Sequence, residues 1–210
     1  MIETLSKIRE GILDILMPRK CLGCGKEGAY ICSACEIFLS EVNLREAKPY
    51  SVWEYEGIIE KAILRIKYDG CYDIINELVE KALDRVEIDL PANAVITYVP
   101  MYKKRERDRG FNQAKLIAEK IGEKTGKSVV GLLEKVRDNY SQVGLDPQER
   151  FENVHNVFSL AKSSKAKPYS VLLVDDVYTT GATMSECTRV FKKSGIKNVY
   201  GFTIAKRMRL

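Results

Sequence analysis

Two stretches of the chain carry residue types suited to chemistry. The first is VLLVDDVYTTGAT, Val171 to Thr183, in which an apolar run gives way to Asp175 and Asp176 and then to a hydroxyl-rich turn. Val171 to Val174 reads as a buried strand of a parallel sheet, and open α/β sheets bind ligands at the carboxyl ends of such strands. Adjacent carboxylates repel each other, and neither Asp175 nor Asp176 has a Lys or Arg beside it in sequence. A ligand rich in hydroxyls, with or without a divalent cation, accounts for their placement. From Tyr178 onward the chemistry reverses. Thr179, Thr180 and Thr183 offer hydroxyl donors, and Gly181 lets a ligand approach the main chain. The helix that follows aims its free N–H groups at the turn. This is the chemistry of a phosphate cradle; with no GxxxxGK[ST] in the chain, hydroxyls and backbone must do the holding. DD or TTG alone would describe only a strand-to-helix turn rich in capping residues. Thr183 with Glu186 fits a capping box, while Lys192, Lys193 and Gly195 mark the other end of that helix.

The second stretch holds four of the six cysteines. Cys21 with Cys24, and Cys32 with Cys35, form two CxxC knuckles that can converge four thiolates on one tetrahedral zinc. Redox chemistry is the alternative, but paired knuckles this close make a closed structural site, and the bound metal would replace core that about 30 residues cannot supply. Gly23, Gly25 and Gly28 match GxGxxG, yet no strand precedes them and no helix opens within, as a dinucleotide site requires. Cys71 and Cys187 have no local partner and read as ordinary, partly buried thiols.

The elements that must position these groups follow from periodicity. Leu5, Ile8, Ile12, Ile15 and Leu16 mark a short amphipathic packing helix ended by Pro18. Lys48-Pro49-Tyr50 is a seam, which places an N-terminal helix and zinc-binding module in residues 1–50 and a larger part in residues 51–210. Ser51 to Glu56 reads as a strand, Ile58 to Lys67 and Ile74 to Leu83 as helices, and Ala94 to Val99 as a strand. Asn112 caps a helix running towards Lys124 and Gly126. A strand, a helix containing Val190 and Phe191, and a strand at Val199 to Ile204 complete the chain. The fold class is therefore α/β, a parallel sheet flanked by helices with a small N-terminal four-cysteine module. Residues 161–167, AKSSKAK, read as an exposed loop, and no repeat is present.

The chain has 210 residues, 45% of them apolar, and a formal charge of +5 from 34 basic and 29 acidic side chains. Such an excess favours phosphate-bearing partners only where positive charge is clustered. Clustered cysteines fit a reducing, cytoplasmic setting. Charges scattered through the first twenty residues argue against a signal peptide or membrane insertion, although attachment to a membrane complex through a protein partner leaves no mark in hydropathy. His155 is the only histidine, which leaves histidine-based triads and metal sites without support. Tyr68, Tyr72 and Trp53 could stack on a base; packing is the plainer assignment. No acceptor site or oligomeric state is specified.

VLLVDDVYTTGAT resembles the phosphoribosyl diphosphate motif of type I phosphoribosyltransferases. The resemblance implies that Asp175 and Asp176 are the catalytic residues and hold the ribose hydroxyls, that the turn from Tyr178 through Thr179, Thr180, Gly181 and Ala182 to Thr183 takes the 5-phosphate, and that Mg²⁺ accompanies the ligand. A second resemblance spans nearly the whole chain. The CxxC pairs, LRIKYDG at Leu64 to Gly70, VPMYKKRERDRGFNQA at Val99 to Ala114 and the terminal motif occur in this order in the ComF family of competence proteins. RGFNQ at Arg109 to Gln113 is the most distinctive piece, supported by Arg137, Gln142, Arg150, Asn153 and Phe158. Lys103, Lys104, Arg105, Arg107 and Arg109 form a dense positive run directly after a strand, where the transferases have a mobile loop. Such a loop would fold over the diphosphate, with Lys103, Arg105 and Arg109 on its oxygens. Two functions follow: a pentosyltransferase losing diphosphate, or a competence factor with a retained ligand site. The second would handle incoming single-stranded DNA beside other proteins of the competence machinery, with Lys103 to Arg109 and Lys206 to Arg209 on DNA phosphates.

Overall fold

Apolar runs of period two and stripes of period 3.6 divide the chain into strands and helices around one sheet. The computed structural model describes residues 18–42, 49–137, 156–161 and 168–208. The expected helix from Leu5 to Leu16, residues 162–167 of the expected loop, and Gln142, Arg150, Asn153, His155 and Arg209 lie outside the described residues. In chain order the elements are α1 (Ser33–Glu36), β1 (Tyr50–Glu54), α2 (Gly57–Tyr68), α3 (Ile74–Leu83), β2 (Val95–Tyr98), α4 (Lys103–Arg109) and α5 (Gln113–Thr125). They continue with β3 (Leu133–Lys135), β4 (Phe158–Leu160), β5 (Ser170–Tyr178), α6 (Ala182–Lys193) and β6 (Asn198–Lys206).

Four strands form a sheet in the order β1-β6-β5-β2, and each adjacent pair is parallel. A parallel sheet must be covered on both faces, and alternation along β5 supplies both cores. Leu172 and Val174 join a core with Ile59, Ile63, Leu78 and Ile121 of α2, α3 and α5. Val171 and Leu173 point the other way, into a core with Met184, Cys187 and Phe191 of α6 and Leu133 and Phe158 of the small antiparallel pair β3-β4. The helices bury what their spacing predicts, Ile59, Ala62, Ile63 and Ile66 on α2 among them. Asn112 caps α5, its side chain accepting from Ala114 N at 3.0 Å and Lys115 N at 3.4 Å, and Gly126 ends the helix in a left-handed turn.

Three local expectations are corrected. β5 does not stop at Val174 but runs through both aspartates to Tyr178, because β6 pairs with it all the way from Ser170↔Asn198 to Tyr178↔Lys206. α6 begins at Ala182 with Gly181 as its N-cap, so Thr183 is no cap; the Glu186 carboxylate instead accepts from Asn156 N at 2.7 Å and from Arg189. Lys103 to Arg109 is not a loop but the short helix α4. Its Lys, Arg and Glu residues favour helix, and Gly110 closes it in a left-handed turn with its N–H on Glu106 O at 2.8 Å.

The cysteine module packs on α3. Glu77 accepts from Tyr30 N at 2.9 Å and Ile31 N at 2.7 Å, the Tyr30 hydroxyl donates to Asp73 at 2.6 Å, and Glu36 is held by Lys81 and Arg85. Ile31, 1% exposed, enters the core shared with α2 and α3. Glu77→Ala would strip the carboxylate from two backbone donors. It is expected to cost about 1–3 kcal/mol of stability in urea unfolding; an unchanged midpoint would show that water replaces it.

Candidate functional site

Beyond Val174 the strand β2 has ended, so β5 projects past its neighbour and its last residues border a cavity of about 490 Å³. Because side chains alternate along an extended strand, Asp175 and Asp176 do not stand side by side as their adjacency in sequence suggests. Asp176, 7% exposed, continues the face of Leu172 and Val174. There it meets Lys67 of α2, whose Nζ lies 2.7 Å from Oδ2, and Gln113 of α5, whose Nε2 donates to the same oxygen at 3.1 Å. Asp175 continues the face of Val171 and Leu173, towards α6, and its Oδ1 accepts from Asp176 N at 2.9 Å. Both carboxylates line the cavity.

The electrostatics differ accordingly. Burial would discharge Lys67, but the Asp176 carboxylate outweighs it and raises the lysine pKa. Asp175, removed from water and beside the charge of Asp176, is pushed up to about 7. Neither aspartate has a cation beside it in sequence; the fold brings one in. Lys67 sits four residues after Ile63, on the edge of the apolar stripe of α2, and a lysine in that position was the available signal.

The opposite wall is the threonine turn. Tyr178, Thr179, Gly181 and Thr183 line the cavity, whereas Thr180 and Ala182 do not; Thr180 Oγ1 accepts from Ala182 N at 3.4 Å, inside the turn. Gly181 has φ of +81°, and a Cβ there would lie 2.3 Å from the Tyr178 hydroxyl, so both conformation and space demand glycine. Gly181, the N-cap, with Thr183 and Met184 of the first turn of α6, faces a region where helical N–H groups have no intrahelical partner. From the basic segment, Arg105 and Arg109 reach the cavity and Lys103 does not, since residues four apart share a helical face. Arg109 donates to Gln113 Oε1 at 2.8 Å, which links the guanidinium through Gln113 to Asp176. Lys135, which sequence reasoning passed over, and Arg207, expected there only on DNA phosphates, also line the space. Five cations (Lys67, Arg105, Arg109, Lys135 and Arg207) thus face three carboxylates (Glu60, Asp175 and Asp176), a balance suited to a polyanion with hydroxyls. A larger cavity of about 870 Å³ between α6 and β6 is lined by lysines but by no carboxylate, so chemistry rather than volume selects the smaller one.

The four cysteines of the knuckles also meet. Their sulfurs lie within 4.8 Å of one another, an arrangement that could hold a metal ion. Gly23 allows it, since a Cβ there would fall 2.7 Å from Cys35 Sγ. Against the opposing effect of burial, the amides of Cys32, Cys24 and Gly23 draw the Cys21 thiol down to about 6. Hydrogen bonding to Cys24 and burial push Cys35 up to about 12. Four sulfurs so placed cannot all ionise without a cation among them. Cys187 is fully buried and Cys71 partly so, as ordinary thiols.

A testable consequence concerns Asp175. Its native pKa of about 7 lies above the ordinary 3.8, so the folded protein retains a proton that the unfolded chain releases, and stability falls as pH rises from about 4 through 7. Asp175→Asn is therefore expected to be more stable than the native sequence at pH 8, with the difference vanishing towards pH 4. Thermal unfolding across that range checks it; a pH-independent difference would contradict the assignment.

Comparison with known proteins places this geometry in context. The chain is 30% identical to Competence protein F of Haemophilus influenzae over 195 residues, 89% of this chain and 84% of that one. It is 28% identical to Competence protein ComFC of Bacillus subtilis over 196 residues, 89% and 77% of the two chains. A DNA utilization protein, YhgH of Salmonella typhi, is 27% identical over 75% of this chain and 71% of its own. No protein-family model matches. Among solved structures, TT1426 from Thermus thermophilus aligns with 66% of this chain and 86% of its own at 13% identity and a TM-score of 0.31. No helix among the described residues is long and apolar enough to cross a membrane. With the CxxC pairs, LRIKYDG, RGFNQ and the DD-TTG turn in their expected order and the first of these relatives matched along most of both chains, the chain belongs to the ComF family.

Proposed function

We propose that the protein handles DNA taken up by a competent cell, in the cytoplasm, and that its carboxylate cavity binds phosphoribosyl diphosphate together with Mg²⁺. The names of the relatives support the first half. The single observation that carries the second is the juxtaposition in one cavity of Asp175 and Asp176, the Thr179 to Thr183 turn and the arginines of α4. The carboxylates suit ribose hydroxyls, the turn and first N–H groups of α6 suit the 5-phosphate, and Arg105 and Arg109 suit the diphosphate. Mg²⁺ would supply charge neutralisation on the diphosphate. The parallel sheet covered by helices on both faces supports a type I phosphoribosyltransferase-like domain. Lys67 and Gln113 fix Asp176 before any ligand arrives, and Arg109 is tethered to Gln113 so that its guanidinium stays at the rim. The cysteine site is assigned a structural Zn²⁺, which four convergent thiols without an open position favour.

Calorimetric titration with phosphoribosyl diphosphate and Mg²⁺ tests the cavity. Saturable binding is expected, and Asp175→Asn with Asp176→Asn should abolish it while leaving the fold intact; unchanged affinity in that variant rejects the site. Diphosphate release on adding purine, pyrimidine or nicotinate acceptors would identify an active pentosyltransferase, and binding without release a retained ligand site. Zinc analysis of the purified protein should give one equivalent, lost in Cys21→Ser with Cys24→Ser along with stability. A metal-free protein of equal stability would reject the zinc assignment.

A further inference from the structure

Tyr68 and Tyr72, which sequence analysis assigned to packing beside Trp53, part company with it in the structure. Trp53 is fully buried, whereas Tyr68 is 69% and Tyr72 59% exposed. Neither ring is loose. Tyr68 lies under the guanidinium of Arg109, 5.9 Å from its ring centroid, and Tyr72 meets Phe111 edge-on at 5.8 Å. Both rings therefore border the RGFNQ segment.

Around Tyr68 the surface is continuous, and Tyr72, which lines neither cavity, flanks it against Phe111. Leu64 and Tyr68 line the carboxylate cavity and also a second cavity of about 690 Å³. Lys61 and Arg65 of α2 and Lys20 and Gly25 of the cysteine module border this second space. The groove thus runs from the metal-type knuckle along α2 to the mouth of the ligand cavity. The pairs Lys20–Glu27 at 3.6 Å and Arg65–Asp69 at 3.7 Å are solvent-exposed and hold their cations weakly. Exposed π-faces within a cationic frame suit a polyanion that carries free planar rings. An acidic peptide would use the charge and leave the rings idle, and a mononucleotide would occupy one cavity and leave the other.

We propose that this groove is a binding track for single-stranded DNA, with bases stacked on Tyr68 and Tyr72 and phosphates on Lys20, Lys61, Arg65 and Arg109. The track rests on the DNA-handling half of the proposed function and not on the phosphoribosyl diphosphate half. It brings the strand to the rim of the carboxylate cavity, with Tyr68 and Arg109 shared between the two.

Fluorescence anisotropy with a labelled oligothymidylate of about 20 nucleotides, read against a duplex of the same length, tests it. The single strand should bind more tightly than the duplex and weaken steeply with salt. Tyr68→Ala with Tyr72→Ala should weaken it about tenfold or more, and Tyr68→Phe with Tyr72→Phe should restore it. Tyr72→Ala alone should weaken DNA binding and leave calorimetric binding of phosphoribosyl diphosphate unchanged, while Asp175→Asn with Asp176→Asn should do the reverse. Unchanged DNA affinity in the folded double alanine variant, or duplex binding as tight as single-strand binding, overturns the track. No DNA binding by the native protein would overturn the track and the DNA-handling reading together, whatever the calorimetry of the other ligand shows.

Discussion

A carboxylate almost closed to water must be paired or it takes up a proton, and the contact of Lys67 with Asp176 at 2.7 Å answers that demand at the end of β5. The strand carries two acids past the point where β2 stops, one to each face of the sheet. The face covered by α2 and α5 supplies a cation and an amide; on the face covered by α6 burial dominates and raises the Asp175 pKa. One strand end therefore holds two carboxylates in different surroundings, which adjacency in sequence would have made equivalent. The environment sets the difference, since the residues are identical.

The RGFNQ segment is where several elements are tied to that pair. Arg109 closes α4, Gly110 turns the chain, Phe111 meets Tyr72, Asn112 caps α5 and donates through Nδ2 to Val99 O at 3.1 Å, and Gln113 bonds both Arg109 and Asp176. Each residue satisfies a different local requirement, so five consecutive positions fix the end of one helix, the start of the next and the orientation of a carboxylate. Freedom lost here is lost before ligand arrives, which is what preorganisation means for a charged site.

The cysteine module has its own constraint. It has little core, and it leans on the larger part through Glu77, Asp73, Lys81 and Arg85, with Ile31 as its apolar anchor. Glu77 acts like a cap for a chain that is not a helix, taking two successive backbone donors. Anchored this way, the knuckles stand beside α2, and Lys20 and Gly25 come to border the same groove as Lys61 and Arg65. The position of the module matters to the surface as much as its metal-type cluster matters to its own fold.

Local order was open to reading from the residues themselves. The spacing of Ile74, Ile75, Leu78, Val79 and Ala82 marks α3 residue for residue, Asn112 and Gly126 bracket α5, and paired knuckles bring four sulfurs together because two-residue spacers leave few alternatives. Patterns of this kind are governed by neighbours within a turn or two. The DD-TTG string likewise announced a polar site at a strand end. The length of β5, the helix at Lys103 to Arg109, and the partners of Asp176 were decided elsewhere. They depend on β6 pairing to Lys206, on the propensity of a charged run to coil once Gly110 can end it, and on α2 delivering Lys67 from far upstream in the chain. Sequence determined which groups could do chemistry; only tertiary packing decided which of them share a cavity, because burial and charge pairing are set by residues far apart along the chain.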